Sequence, residues 1–209
     1  MKILAVTDLH GGSVEDLLGF NGIDLVLVLG DITTGGSIEE TMIRINPLRE
    51  AYQALYAIPG NWDRKDSCQW LISEGLSLDC RSIRIEGIIL YGVGGSVTTP
   101  FSTPNEFAEE EFGQKLAGCP EPEKGERLIL LSHTPPRGAG DKTALGMHVG
   151  SENLKRFIKE MAPDLVLCGH IHEGRDKTMI GKTIIVNPGP APRHYAIVKI
   201  TDGITVTLY

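Results

Sequence analysis

The chain has 209 residues, a length for one large domain or two small ones, and one that buries enough surface to need no disulfide staple. Its 20 basic and 27 acidic residues leave a formal net charge of −7, which argues against broad electrostatic binding to nucleic acid or to an anionic membrane. No apolar run approaches the roughly 20 residues of a spanning helix, and Asp8 interrupts the first apolar run too early for a signal-peptide core. Cys68, Cys80, Cys119 and Cys168 follow no metal or disulfide spacing, so the expectation is a reduced, soluble, cytoplasmic protein.

In chain order, short apolar runs alternate with helical patterns. Residues 3–6 are predicted as strand, followed by a helix over 13–20 with Ser13 as its cap and Asp16 three residues on. Residues 25–29 are the second strand, followed by a helix over 37–50. Residues 54–58 are the third, with a helix around 64–74 after it. Runs this continuously apolar predict buried strands, and their alternation with helices predicts a largely parallel sheet. Residues 82–85 and 88–93 flank Glu86-Gly87 and read as a hairpin. Residues 105–116 read as helix, 119–125 as a Pro-punctuated loop, 128–131 as strand and 134–150 as a long loop rich in Pro and Gly. Ser151 caps a helix over 151–161 that Pro163 closes. Residues 165–168 are strand, and the remainder is β: 177–180, 183–186, 196–200 and 204–208, with turns at Gly181-Lys182 and Asp202-Gly203. No repeat or linker divides the chain, so the expectation is a single α/β domain over 1–209 with a mixed core sheet.

Five of these strands end in polar residues of one kind. They run into Asp8-x-His10, Gly30-Asp31, Gly60-Asn61, Ser132-His133 and Gly169-His170-x-His172, and the carboxyl ends of strands are where open α/β sheets build their sites. Imidazole, carboxylate and amide oxygen together suit zinc, manganese or iron. Seven donors exceed one tetrahedral site; with one carboxylate bridging they suffice for two ions about 3.5–4 Å apart, an arrangement that activates water and clamps a phosphoryl group. The adjacent Gly30, Gly60 and Gly169 fit turns in which the backbone approaches the site closely. Any one of these histidines alone is more often an ordinary hydrogen-bonded residue, and a lone Asp more often a cap or turn former. Five strand ends carrying them together point to a metal site.

The ordered set Asp8-x-His10, Gly30-Asp31, Gly60-Asn61-x-Asp63, Ser132-His133 and Gly169-His170-x-His172 resembles the calcineurin-like metallophosphoesterases, from Met1 to about Pro192. The resemblance implies an α/β fold with two mixed sheets flanked by helices, a four-layer α/β/β/α sandwich, with a dinuclear site on top. It implies that Asp8, His10 and His172 bind one divalent ion, that Asn61, His133 and His170 bind the other, and that Asp31 bridges them. The ions it implies are manganese, iron, zinc or nickel. Asp31, Asn61 and His133 become the candidate catalytic residues of a phosphoesterase, more a phosphodiesterase than a monoesterase, acting on a small phosphate ester. Asn187-Pro188-Gly189 looks like a loop that small members place beside the site.

One position departs from the family pattern: Trp62 stands where His is usual, and an indole offers one N–H but no titratable proton in the working range. Trp62 is expected either to anchor the long loop or to wall the substrate pocket, and His148 and Arg193 are further candidate substrate contacts. Asp63 either orients a site residue or caps the helix after it. Two other functions are compatible with the fold: a non-catalytic interaction module, as in the retromer subunit of this superfamily, and a metal-dependent nuclease. The filled ligand positions argue against the first, and the net charge of −7 against the second. Neither a membrane nor nucleic acid is expected as a partner. Gly181-Lys182-Thr183 ends like a phosphate-binding loop but has Asp176 where that motif requires Gly, so it reads as a hairpin turn.

Overall fold

The early strands are apolar at every position because both of their faces are covered. The computed structural model describes residues Met1–Tyr209. Its first third comprises β1 (Lys2–Val6), β2 (Leu25–Val28), α1 (Ile38–Ala51), β3 (Leu55–Ala57) and α2 (Lys65–Ser73). The middle adds the hairpin β4 (Ser82–Ile85) and β5 (Ile88–Val93), the short pair β6 (Ser96–Val97) and β7 (Glu106–Phe107), α3 (Glu109–Ala117) and β8 (Arg127–Ser132). The last third contains α4 (Glu152–Met161), β9 (Leu165–Leu167), β10 (Asp176–Ile180), β11 (Thr183–Asn187), β12 (Ala196–Ile200) and β13 (Ile204–Leu208).

Where the residues alone suggested one mixed sheet, the strands divide into two. A five-stranded sheet has the order β13-β12-β1-β2-β3 and a six-stranded sheet the order β10-β11-β9-β8-β5-β4. The two-residue period of a strand sorts its side chains between layers. Ile3, Ala5, Leu25 and Leu27 meet Ile129, Leu131, Leu165 and Leu167 of the other sheet. Leu4, Val6, Val26 and Val28 instead meet Ile45 and Leu48 of α1 and Leu71 of α2. On the far side, Leu130 and Val166 pack on Phe112 of α3 and on Leu154 and Ile158 of α4. The result is the α/β/β/α layering that the motif resemblance implied. An all-apolar strand says that both faces are covered, but not by what.

Two expected helices are shortened. That over 13–20 is a single 3-10 turn, Glu15–Leu17, because Gly19 takes a φ of +84° and Ser13 bonds the Glu15 carboxylate instead of capping a helix. Asp16 caps nothing there. The helix expected from 105 begins at Glu109, since Glu106 and Phe107 pair with β6. Ser151 caps α4 as expected, accepting from the backbone N–H of Leu154, and Ser37 caps α1 in the same way, accepting from Glu40. No helix is long and apolar enough to cross a membrane.

Candidate metal centre

Both sheets end their parallel strands at one edge, and the seven donors meet there. β1 delivers Asp8 and His10, β2 delivers Asp31 and β3 delivers Asn61; β8 delivers His133, and β9 delivers His170 and His172. Their donor atoms fall into two triads, Asp8–His10–His172 and Asp31–His133–His170, each with its atoms within 4.8 Å of one another. His10 Nε2 lies 3.0 Å from His172 Nε2, and His172 Nε2 3.6 Å from Asp8 Oδ1. Asp31 Oδ2 lies between the triads, 3.7 Å from His10 Nε2 and 3.4 Å from His133 Nε2. Asn61 Oδ1 is 3.0 Å from His133 Nε2, on the Asp31 side.

The backbone is strained where it presents these groups. Asp8 (φ +54°), His10 (φ +48°), Asp31 (φ +51°) and His170 (φ +69°) all occupy the left-handed region, which is unfavourable for non-glycine residues and persists only where surrounding structure over-determines it. Two glycines make the crowding possible. A Cβ at Gly60 would collide with the Asp31 carboxylate, and one at Gly169 with Thr7 and Asp8.

Several donors are aimed by a second hydrogen bond. The Trp62 N–H donates to Asp31 Oδ1 at 2.9 Å, leaving Oδ2 to face both triads. The His170 N–H donates to the Asp8 carboxylate, at 3.0 Å to Oδ2. His133 Nδ1 is 2.8 Å from the Leu29 carbonyl, which fixes that nitrogen as the N–H and frees Nε2 for the site. Burial raises the Asp63 carboxyl, and the charge of Asp31 pushes it further, to about 6. Burial alone would lower His133, but the charge and hydrogen bond of Asp31 push it up to about 9. Burial likewise opposes ionisation of Asp8, yet the His172 hydrogen bond and nearby imidazoles hold it at about 2. His170, buried beside His133, is pushed down to about 4.

Sequence reasoning foresaw one role of Asp63 in holding this geometry and missed Glu106. Asp63 caps no helix: Arg64 occupies the N-cap of α2 without a side-chain bond. The Asp63 carboxylate instead accepts the N–H groups of Gly60 (2.8 Å), Thr33 (3.0 Å) and Ile32 (3.2 Å), tying the Asp31 turn to the Asn61 turn. Glu106 was absent from the expectations altogether. Thr103 gives its only hydroxyl proton to Glu106 Oε1 (2.5 Å), so its oxygen accepts from Asn61 Nδ2 (2.9 Å), and the amide must turn Oδ1 toward His133. Burial would raise Glu106, but bonds from Thr103 and Thr99 hold it at about 2. The Asn187 amide does lie beside the site, bonding the carbonyls of Gly140 and Ile171, each at 2.9 Å.

Beside the donors opens a cleft of 580 Å³, lined by His10, Asp31, Asn61, His170 and His172 at one end and by residues 97–101, 143–145, Met147 and Val149 at the other. Trp62 forms part of its wall. The other two expected substrate contacts do not reach it. His148 Nδ1 is held at 2.6 Å by the buried Asp141, which turns the ring away, and Arg193 is exposed on the turn before β12.

The donor set fits divalent cations. Two imidazole nitrogens 3.0 Å apart cannot both direct protons at each other, so at least one presents a lone pair there, at a point close to two carboxylates. Those carboxylates draw a proton onto the fully buried His133, the compensation a dication supplies in its place. The calcineurin-like phosphoesterase family profile matches residues 1–174. The chain belongs to that family. Over 196 residues it is 38% identical to uncharacterized protein MJ1162 of Methanocaldococcus jannaschii, covering 91% of this chain and 88% of that protein. It is 25% identical to "Probable glycerophosphodiester phosphodiesterase GpdQ" of Arcobacter nitrofigilis, over 90% of this chain and 71% of that one. Among solved structures, TT1561 of Thermus thermophilus superposes with a TM-score of 0.74 at 20% identity, covering 99% of this chain and 97% of that chain, and shows the shared fold. The family makes the chain a hydrolase that uses divalent metal ions.

Proposed function

We propose that the chain is a phosphodiesterase whose Asp8, His10 and His172 hold one divalent ion and whose Asn61, His133 and His170 hold a second, with Asp31 shared. The observation that carries this is the position of Asp31 Oδ2, within 3.7 Å of the nearest imidazole of each triad. Divalent ions supply Lewis-acid stabilisation of a phosphoryl oxygen and acidify a water. The chain's own residues hold the geometry: Trp62 N–H keeps Asp31 Oδ1 occupied, His170 N–H steadies Asp8, and Thr103 points the Asn61 oxygen inward. Diester over monoester follows from charge. A monoester carries close to two negative charges at neutral pH and a diester one, and no Lys or Arg lines the cleft to offset the second. The name carried by the Arcobacter relative agrees.

The test is hydrolysis of mono- and diester panels with Mn²⁺, Ni²⁺, Mg²⁺ and Zn²⁺, together with metal analysis of protein grown with Mn²⁺. Two ions per chain and faster diester hydrolysis are expected. One tightly held ion, with Asn61 and His133 dispensable, would overturn the dinuclear reading.

Trp62 sharpens the same test. No general acid stands at this position, and such a group contributes typically about 10²- to 10⁴-fold. Aryl esters, whose leaving groups need no proton, are expected to be favoured over alkyl esters. Plotted against leaving-group pKa, log rate for Trp62→His should fall less steeply than for wild type. Equal slopes in the folded, metal-loaded variant would place the proton source elsewhere, and not at His148, whose ring is committed to Asp141.

A further inference from the structure

The outer wall of the cleft is apolar and faces water. Phe101 is 75% exposed, Leu145 83%, Met147 54% and Val149 38%, and all four line this one cleft. Exposed apolar side chains scattered singly need no explanation, but a contiguous group beside a reactive centre marks a binding surface. Local structure produces the grouping. Residues 142–148 form a small hairpin, closed by the Lys142–His148 bridge and by the Thr143 N–H on the Met147 carbonyl at 2.9 Å. Its alternation sends Leu145 and Met147 to the cleft and His148 to Asp141 on the other face. The facing segment is held too, since Glu106 accepts the N–H and hydroxyl of Thr99, two residues before Phe101.

Charge narrows the occupant. The cleft has no Lys or Arg, and its acidic members are Asp31 and Glu173, so a second phosphate or a polyanionic tail finds no partner. Its 580 Å³ lies within the range of small-molecule pockets. We propose that this wall seats an uncharged, apolar substituent, an aryl ring or alkyl chain, esterified to the phosphate held at the donor set; this rests on the phosphodiesterase reading above. The apolar group leaves water against the exposed side chains of both segments while its phosphate sits over Asp31.

The experiment uses p-nitrophenyl diesters whose second substituent lengthens from methyl to hexyl, so the leaving group is constant. For the Mn²⁺-loaded protein, kcat/KM is expected to rise by up to roughly fourfold per added methylene as each is buried. Leu145→Asp and Phe101→Asp should flatten the series, whereas Ile43→Asp, at an exposed hydrophobic on α1 outside the cleft, should keep the wild-type slope. A flat wild-type series with ester hydrolysis intact overturns the apolar subsite and leaves the phosphodiesterase reading standing. Calorimetric binding of methyl-, hexyl- and phenylphosphonate gives a second readout. If no ester is hydrolysed the phosphodiesterase reading falls, yet tighter hexyl and phenyl binding with a negative heat-capacity change still supports the subsite. Equal affinity for the three phosphonates overturns it. So does a dimer that Leu145→Asp dissociates alongside a flat series, which assigns the wall to a second copy of the chain.

Discussion

The floor of the cleft is carried by strand ends, with Asp31 and Asn61 each 2% exposed and Asp8 and His133 buried beside them, while its rim is carried by two connecting segments with Leu145 83% exposed. Floor residues are held by bonds between separate chain segments: Asp63 to backbone N–H groups of two strand-end turns, Thr103 to Asn61, His133 to the Leu29 carbonyl. The rim hairpin is held chiefly by its own backbone and by Asp141. Strain is tolerated at the floor, where four donors sit at positive φ, because two sheets over-determine their positions. On the proposed function the contrast separates the chemistry from the choice of substrate, so a change in one region should be felt in a different measurement from a change in the other.

The largest effect is expected at Asp31. Asp31→Asn should lower kcat/KM by at least about a hundredfold, or about 2.7 kcal/mol in barrier, and by at least tenfold more than His10→Ala at saturating metal. Near-wild-type turnover would remove Asp31 from its shared position. Next is Asp63→Ala, which strips the partner from three buried N–H groups and should cost about 2 kcal/mol of stability in urea unfolding, with activity falling as the Asp31 and Asn61 turns separate. A loss of activity without loss of stability would break the structural account.

Glu106 tests how far the floor depends on the segment leading to the rim. Glu106→Gln should weaken metal binding by about tenfold, measured by competition with a chelator, because Asn61 is aimed through Thr103. Its titration supplies a sign. The folded carboxyl is held at about 2 against an ordinary 4.5, so its stabilising contribution is complete above 4.5 and is lost as pH falls toward 2. The difference in urea midpoint between wild type and Glu106→Gln should therefore shrink across that window, and a constant difference would contradict it. Smallest is the rim itself. Leu145→Ala should change stability by no more than about 0.5 kcal/mol, since its side chain contributes little to the core, while altering selectivity among esters.

By itself the sequence determined which polar residues end the strands and most of the elements that carry them. Apolar runs that end in Asp8, Asp31, Asn61, His133 and His170 are local patterns, and so is the Ser151 cap. Only the tertiary structure decided how the strands divide, because an apolar strand covered on both faces gives no sign of whether a helix or a second sheet covers it. Long-range bonds likewise decided which polar residues support the site: Asn61 and Thr103 are 42 positions apart, and nothing near Glu106 in the chain announces a link to a ligand. His148 shows the same limit from the other side. Its place in a Pro- and Gly-rich loop suggested a substrate contact, but the hairpin's two-residue alternation and the pull of the buried Asp141 turn its ring from the cleft and leave Leu145 and Met147 facing in.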